Sequence, residues 1–304
     1  EQHPRPRRQR QMCIRDRSAI AAEAKVDERY LKEWLASNAA RGYVSYDAEA
    51  DKFSLTPEQA SVFARESEPT CIQGLIQGVV GQFVKEDVAI DVFKTGRGRP
   101  WGEHHECCFC GTERFFRPAY AGHLLDEWIP ALDGVEDKLK LGAKVADIGC
   151  GLGTSSILMA EQFPNSTIHA FDFHGPSIEE AKKRANEKGL TNLEFFVSDA
   201  GEIPKNDYDL ACIFDAWHDM GDPVGIAASI KETLSKDGTF MVVEPMALDG
   251  YANNIANNPA SAMMYGFGTL VCVPASKAQS VGLGLGPQAG PSKLMELLSE
   301  AGFG

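Results

Sequence analysis

The 304-residue chain has no apolar run of transmembrane length, and its first residues lack the apolar core of a signal peptide. Membrane-spanning roles are therefore not expected, and a cytoplasmic protein is. A basic surplus is lacking too. Against 30 Lys and Arg stand 43 Asp and Glu, a formal net charge of −13, which disfavours a protein that grips phosphate backbones over its whole surface. Small neutral or cationic substrates suit that balance better. The eight cysteines, at 13, 71, 107, 108, 110, 150, 212 and 272, form no regular disulfide framework, and Cys150 and Cys212 fall in apolar strand contexts. A reducing compartment follows.

One stretch runs against the acidic trend. Six arginines lie within residues 1–17, against only Glu1 and Asp16. A disordered tail or a nucleic-acid arm would account for them. However, the run from Met12 to Arg17 is similar to translated sequencing-adapter sequence, so 1–17 is expected to be a non-native or disordered segment.

From Asp27 the apolar spacing is helical, with Tyr30, Leu31, Trp34 and Leu35 on one face and Gly42 as the stop. Tyr43, Val44 and Tyr46 then predict a short strand, residues 47–51 a polar turn, and Phe53 and Leu55 a returning strand. Thr56 and Pro57 open a further helix. Helix, hairpin and helix make a winged-helix pattern, expected over 18–67, and residues 18–25 read as the tail of an earlier helix. The helix from Asp27 to Arg41 balances Arg29, Lys32 and Arg41 against Asp27, Glu28 and Glu33, so its pull on phosphate is weak. Residues 71–95 are helical and apolar (Ile72, Leu75, Ile76, Val79, Val80, Phe83, Val84), which predicts core packing, a bridge between domains or part of a dimer seam. A loop rich in Gly, Arg and Pro follows at 95–102. The region 68–130 is expected to serve as linker and active-site lid.

The chemistry-bearing motif begins at residue 144. An apolar strand through Val145, Ala146, Asp147 and Ile148 runs into Gly149, Cys150, Gly151, Leu152 and Gly153, then into an apolar helix. Glycine allows positive φ and close approach of backbone to a ligand, and a helix start offers free N–H groups. Dinucleotide folds space their glycines Gly-x-Gly-x-x-Gly; here they stand at 149, 151 and 153 behind an acid at 147, which favours S-adenosylmethionine over NAD. About one βαβ repeat later a strand ends in Asp172, placed to accept both ribose hydroxyls, with Phe173 beside it. A third strand (Leu193, Phe195, Val197) ends at Asp199 and Ala200, a fourth (209–214) at Asp215, and a fifth, 239–244, follows a turn at Asp237 and Gly238. Strands alternating with helices predict an α/β, doubly wound, mostly parallel sheet whose strand ends share one crevice.

With these residues in place, the chain resembles class I S-adenosylmethionine-dependent methyltransferases, and within them a bacterial group with an N-terminal winged-helix domain that is similar to O-methyltransferases. The resemblance covers almost everything from residue 20 onward, including the run from Gly111 to Pro118. It implies S-adenosyl-L-methionine as cofactor, held by Asp147, Gly149, Gly151, Gly153, Asp172, Phe173, Asp199, Ala200 and Asp215, with Asp199 receiving the adenine amino group. His218, Asp219, Met220, Gly221 and Asp222 resemble that family's His-Asp-Trp-x-Asp signature with Met in place of Trp. The resemblance makes His218 the base for an acceptor hydroxyl and Glu244 the acid that orients it. It also implies a winged helix that joins two subunits into a homodimer and roofs the active site.

Alternatives stay open at this point. His104, His105, Cys107, Cys108 and Cys110 could supply zinc ligands, but no fourth ligand is obvious; with the resembled family not metal-dependent, no metal is expected and His105 reads as lining the pocket. Met263, Met264, Tyr265, Phe267 and Leu270 fit an apolar acceptor pocket and ordinary lid packing equally. The acceptor atom could be N or C, with His218 only positioning it. A metabolite-sensing transcription regulator is the rival function. The methyltransferase domain is expected over 131–304, and both chain ends are expected to be cut, leaving the fifth strand as an exposed apolar edge prone to aggregation. Partners are a small-molecule methyl acceptor and a second copy, not nucleic acid or membrane.

Overall fold

The computed structural model describes residues 14–304, with side chains described from Asp16. Residues 1–13 of the arginine-rich head therefore lie outside the described residues. The chain divides into two compact units, Glu1–Gly74 and Leu75–Gly304.

In the first unit β1 (Ile14–Arg15) is followed by α1 (Arg17–Ala24), α2 (Glu28–Ala40), β2 (Ser45–Asp47), β3 (Lys52–Ser54) and α3 (Pro57–Phe63). Local chemistry sets most of these boundaries. Asp16 and Asp27 cap α1 and α2 by accepting backbone N–H groups, and Thr56 and Gln59 form a reciprocal capping box on α3. The strands pair antiparallel in the order β1-β3-β2. Ala21, Leu31, Leu35 and Phe53 make the small core. Only half of the expected face of α2 is buried: Leu31 and Leu35, four residues apart, point inward, while Tyr30 and Trp34 stay 81% and 59% exposed.

The second unit opens with α4 (Gln73–Val84), α5 (Glu86–Thr95), α6 (Glu106–Ala119) and α7 (Val135–Leu141); a π-helical stretch, Tyr120–Trp128, continues α6. Then come β4 (Lys144–Ile148), α8 (Thr154–Gln162), β5 (Thr167–Asp172), α9 (Gly175–Glu187), β6 (Leu193–Val197), β7 (Tyr208–Phe214), α10 (Pro223–Thr233) and β8 (Leu234–Val243). The chain continues through α11 (Tyr251–Asn257), α12 (Ser261–Phe267), a π-helical Gly268–Cys272, α13 (Val273–Lys277) and α14 (Pro291–Glu300).

All five strands from β4 to β8 pair in parallel, in the order β6-β5-β4-β7-β8. The chain starts in the middle, winds outward to β6, then returns to β7, so the order reverses between β4 and β7. Neighbouring residues on a strand face opposite sides, and the core divides accordingly. Val145, Ala170, Leu210 and Cys212 pack in one cluster; Ala146, Phe171, Ala211 and Ile213 pack in the other. This is the expected α/β sheet with an N-terminal winged helix.

The link from β6 to β7 holds a single 3-10 turn, Ala200–Glu202. Two expectations need correction. β8 begins at Leu234: the supposed turn at Asp237 and Gly238 lies inside it, absorbed by a register shift opposite Tyr208 and Leu210, and Glu244 falls just past its end. Core packing does not describe residues 71–95 as a whole: Cys71, Gln82 and Val92 are buried, but Ile76, Val80, Phe83, Ile90 and Phe93 are exposed. β8 stands at one margin of the sheet, where Phe240 packs 5.2 Å from Phe303 and α14 adds Leu294 and Leu298. Among the described residues no helix is long and apolar enough to cross a membrane.

Candidate active site

The strand ends on either side of the reversal carry nearly all the residues of interest. Beyond β4, Gly149, Gly151 and Gly153 all adopt positive φ (73°, 53° and 77°). Each glycine has its own reason. A Cβ on Gly149 would stand 3.0 Å from Ala216 Cβ, and one on Gly153 would stand 2.9 Å from Ala181 Cβ and the Phe195 ring, so these two permit close packing of the turn on β7 and of α8 on its neighbours. A Cβ on Gly151 would meet nothing within 4 Å: its open side is where a ligand can approach. The N–H groups of Gly149 and Cys150 both donate to Phe171 O, at 2.8 and 3.0 Å, which ties the turn to the end of β5.

Asp172 completes that tie. Its Oδ2 accepts from Gly151 N at 2.9 Å and its Oδ1 from His174 N at 2.8 Å. Each carboxylate oxygen can accept a second hydrogen bond, so the side chain can shape the loop and still receive two hydroxyls. Ser198 N donates to Asp172 O at 3.1 Å, which brings Asp199 alongside; Asp199 caps its 3-10 turn by accepting from Gly201 N at 2.9 Å. Phe173 is 53% exposed, and Ala200 packs against the second core cluster.

Asp147 is the buried charge of the cradle. Its Oδ2 accepts from the hydroxyls of Ser155 and Ser156, while Oδ1 is buried without a partner. Burial pushes its carboxyl up to about 6 against the pull of the two serines. The donor set thus offers an unpaired buried carboxylate oxygen, an open glycine, a helix start with no side-chain cap and a second acid with spare lone pairs. Those features fit a cofactor with a cationic amino-acid end and a ribose diol.

Across the reversal, Asp215 ends β7 at φ 51°, unusual for a residue with a Cβ, and its Oδ2 accepts from Tyr120 OH at 2.7 Å. Burial drives the Asp215 carboxyl up to about 7, with the Tyr120 bond opposing. Glu244, just past the end of β8, organises the loop that follows Asp215. Its Oε1 accepts from Trp217 N at 2.9 Å and His218 N at 3.3 Å, and its Oε2 meets His218 Nδ1. His218 Nε2 lies 3.1 Å from Asp219 Oδ1, which itself has no hydrogen bond. Burial alone would lower the imidazole pKa, but Glu244 and Asp219 outweigh it and hold it well above the usual range.

Several neighbours were invisible in the sequence. Tyr120 comes from the π-helical stretch after α6. Glu113, also on α6, accepts from Thr154 Oγ1 at 2.8 Å and lies 3.4 Å from Arg184, fastening α6 to the helix that follows the glycine turn. Arg99 is fully buried, its guanidinium donating to Gln82 Oε1 at 3.2 Å. The residues at 104–110 divide between two roles. His105 caps α6 by accepting from Cys107 N at 3.2 Å, so it is a helix cap, whereas His104 is the buried one, with neither ring nitrogen bonded. Burial, aided by Arg99, lowers His104 to about 4, so it is neutral.

A parallel sheet with this reversal, glycine turn and strand-end acids defines the class I, Rossmann-like methyltransferase fold. The chain belongs to the methyltransferase domain family, whose pattern matches residues 139–302, and an Rv2258c-like winged HTH domain matches residues 10–65. By family and fold it is accordingly a member of the methyltransferase domain family with a class I, Rossmann-like sheet. Human N-acetylserotonin methyltransferase, solved with S-adenosylmethionine, superposes with a TM-score of 0.66 at 18% identity, over 96% of this chain and 82% of that one. An O-methyltransferase family protein of Burkholderia thailandensis gives 0.65 at 13% identity, over 96% and 83%. In sequence, a sterol 24-C-methyltransferase of Gibberella zeae is 30% identical over 172 residues, 55% of this chain but only 42% of that protein. The chain thus spans less than half the length of that relative.

Proposed function

We propose that the protein methylates a hydroxyl group of a small molecule, with His218 as general base and Glu244 as the residue that positions it. The observation that carries this reading is the buried pair of His218, on the loop after β7, with Glu244, just past β8. Asp147, Gly149, Gly151, Gly153, Asp172, Phe173, Asp199, Ala200 and Asp215 are proposed to hold the cofactor. The cofactor supplies an electrophilic methyl group on a sulfonium. The chain's task is then to exclude water, orient the acceptor and take its proton. Glu244, on Nδ1, leaves Nε2 as the nitrogen that can accept. At rest Asp219 faces Nε2 and favours the charged ring; movement of Asp219 away lowers the imidazole pKa and frees Nε2 to receive a proton. The relatives act on different atoms, sterol carbon by name in one case and oxygen in another, so what they have in common is the cofactor domain.

The test is calorimetry with S-adenosylhomocysteine, followed by radiolabelled methyl transfer across a panel of phenols and polyketide-like alcohols. Micromolar binding that falls at least tenfold in Asp172→Ala is expected, because a charged acceptor of two hydroxyls is lost. Methyl transfer that survives in His218→Ala would instead point to a nitrogen or carbon acceptor. The regulator reading gains nothing from the winged helix, where Arg29 is committed to Glu33 at 2.5 Å. A homodimer is the proposed assembly, supported by the exposed apolar residues of α4 and α5.

A further inference from the structure

Three donor groups from two segments converge at the proposed base. His218 Nε2, Asp219 Oδ1 and Cys272 Sγ all lie within 4.8 Å of one another, with Nε2 and Oδ1 only 3.1 Å apart. The histidine and aspartate sit on the 3-10 turn after β7. The cysteine closes the π-helical turn Gly268–Cys272, more than fifty residues later, seated with Cys108 and Val271 in a small apolar cluster. None of the three donors is committed elsewhere in a way that forbids coordination. The near partner of Oδ1 is Nε2 itself, and the thiol is in no disulfide, so the three donors face one another rather than other groups. The far side of the imidazole is already set, because Nδ1 is held by Glu244, as in histidines that bind metal through one nitrogen and a carboxylate through the other.

We propose that His218, Asp219 and Cys272 form a site for a thiophilic divalent cation, zinc by donor chemistry, and that an ion there withdraws Nε2 from proton transfer. The last clause rests on the general-base reading above; the site itself does not. Imidazole nitrogen, carboxylate oxygen and thiolate sulfur are the mixed set zinc takes, and alkaline-earth ions do not favour it. Donors about 2.0–2.3 Å from a tetrahedral ion stand about 3.3–3.8 Å apart, so the longest side of the triangle needs to close by roughly 1 Å. Charge also balances. Binding displaces one proton from Nε2 and one from Sγ, and the carboxylate and thiolate then offset the two positive charges in a buried place. Three protein donors leave one tetrahedral position open, as in catalytic and inhibitory sites.

The experiment is a titration of chelator-treated protein with Co²⁺, followed by displacement with Zn²⁺. One equivalent should bind with a thiolate-to-cobalt charge-transfer band, and Zn²⁺ should abolish the band. Cys272→Ser should lose the band, and Asp219→Asn should weaken Co²⁺ binding at least tenfold. S-adenosylhomocysteine calorimetry on the same samples reports folding. A chain that binds S-adenosylhomocysteine but gives no cobalt band overturns the site, as does a band undiminished in Cys272→Ser. Should Cys272→Ser fail to fold, unchanged cobalt affinity in Asp219→Asn overturns it equally. Cobalt binding in a chain that ignores S-adenosylhomocysteine would sink the cofactor reading and leave the metal site standing.

Discussion

At the scale of single residues the cradle is a place where burial competes with charge. Asp147 is 1% exposed and its carboxyl is raised to about 6, above its ordinary value near 4. A raised acid is a stabilising group while protonated. Its contribution is complete below about pH 4 and is lost as pH rises through about 6, an effect of roughly 3 kcal/mol by linkage. Urea unfolding of the cofactor-free protein should therefore show wild type losing about that much relative to Asp147→Asn between pH 4 and pH 7; a pH-independent difference would refute the assignment. Cofactor binding should reverse the preference, with Asp147→Asn the weaker binder at pH 8, because only the carboxylate can pair with a cationic amino-acid end. Glu244 makes a second test possible. Glu244→Gln retains an oxygen for the N–H groups of Trp217 and His218 but removes the charge on Nδ1. The fold should survive, methyl transfer should fall about tenfold to a hundredfold, and the acid limb of the pH–rate profile should move to lower pH. A purely structural role would leave that limb in place.

At the scale of elements, the strand-turn-helix from β4 to α8 separates two demands that a sequence motif merges. Gly153 is needed by packing: at φ 77°, a Cβ there would press on Ala181 and Phe195, so Gly153→Ala should cost about 2–4 kcal/mol from left-handed strain and overpacking. Gly151 is proposed to serve the ligand instead. Its Cβ would enter open space, so Gly151→Ala should cost only about 1–2 kcal/mol of backbone strain yet weaken S-adenosylhomocysteine binding sharply. Thermal unfolding and calorimetry, run on both variants, would show the two effects crossing; equal losses in both assays would mean the distinction is wrong. The winged-helix elements were readable for the same local reasons, since Thr56 and Pro57 mark a helix start within a few residues of chain. β8 was not. Lys236, Asp237 and Gly238 have turn composition, and only pairing with β7 across a register shift holds them extended.

At the scale of the whole molecule, the apolar residues of α4 and α5 bear on the readings of that stretch. Phe83 and Phe93 are 72% and 75% exposed in the single chain, which counts against core packing. Large exposed apolar side chains are candidates for an interface. If the homodimer uses this surface, Phe83→Glu with Phe93→Glu should shift light-scattering mass toward the monomer while leaving S-adenosylhomocysteine binding within about twofold; an unchanged mass would place the interface elsewhere. The deep site residues span the unit in sequence, from Tyr120 and Glu113 on α6 and its continuation to Glu244 after β8. Loss of any one of these ties is therefore expected to loosen several strand ends at once.

What the sequence by itself determined was the alternating βα pattern, the glycine spacing from 149 to 153 and the acids at 147, 172 and 199, because periodicity, turn chemistry and strand ends are properties of short stretches of chain. It also marked His218 and Glu244 as a pair through their family resemblance. Only the tertiary structure decided that His104 is buried while His105 caps a helix, that Asp219 turns to Nε2, and that Cys272 comes up beside them. Those facts depend on which distant surfaces pack together. Burial and the electric field at a side chain are set by neighbours that the local sequence does not name.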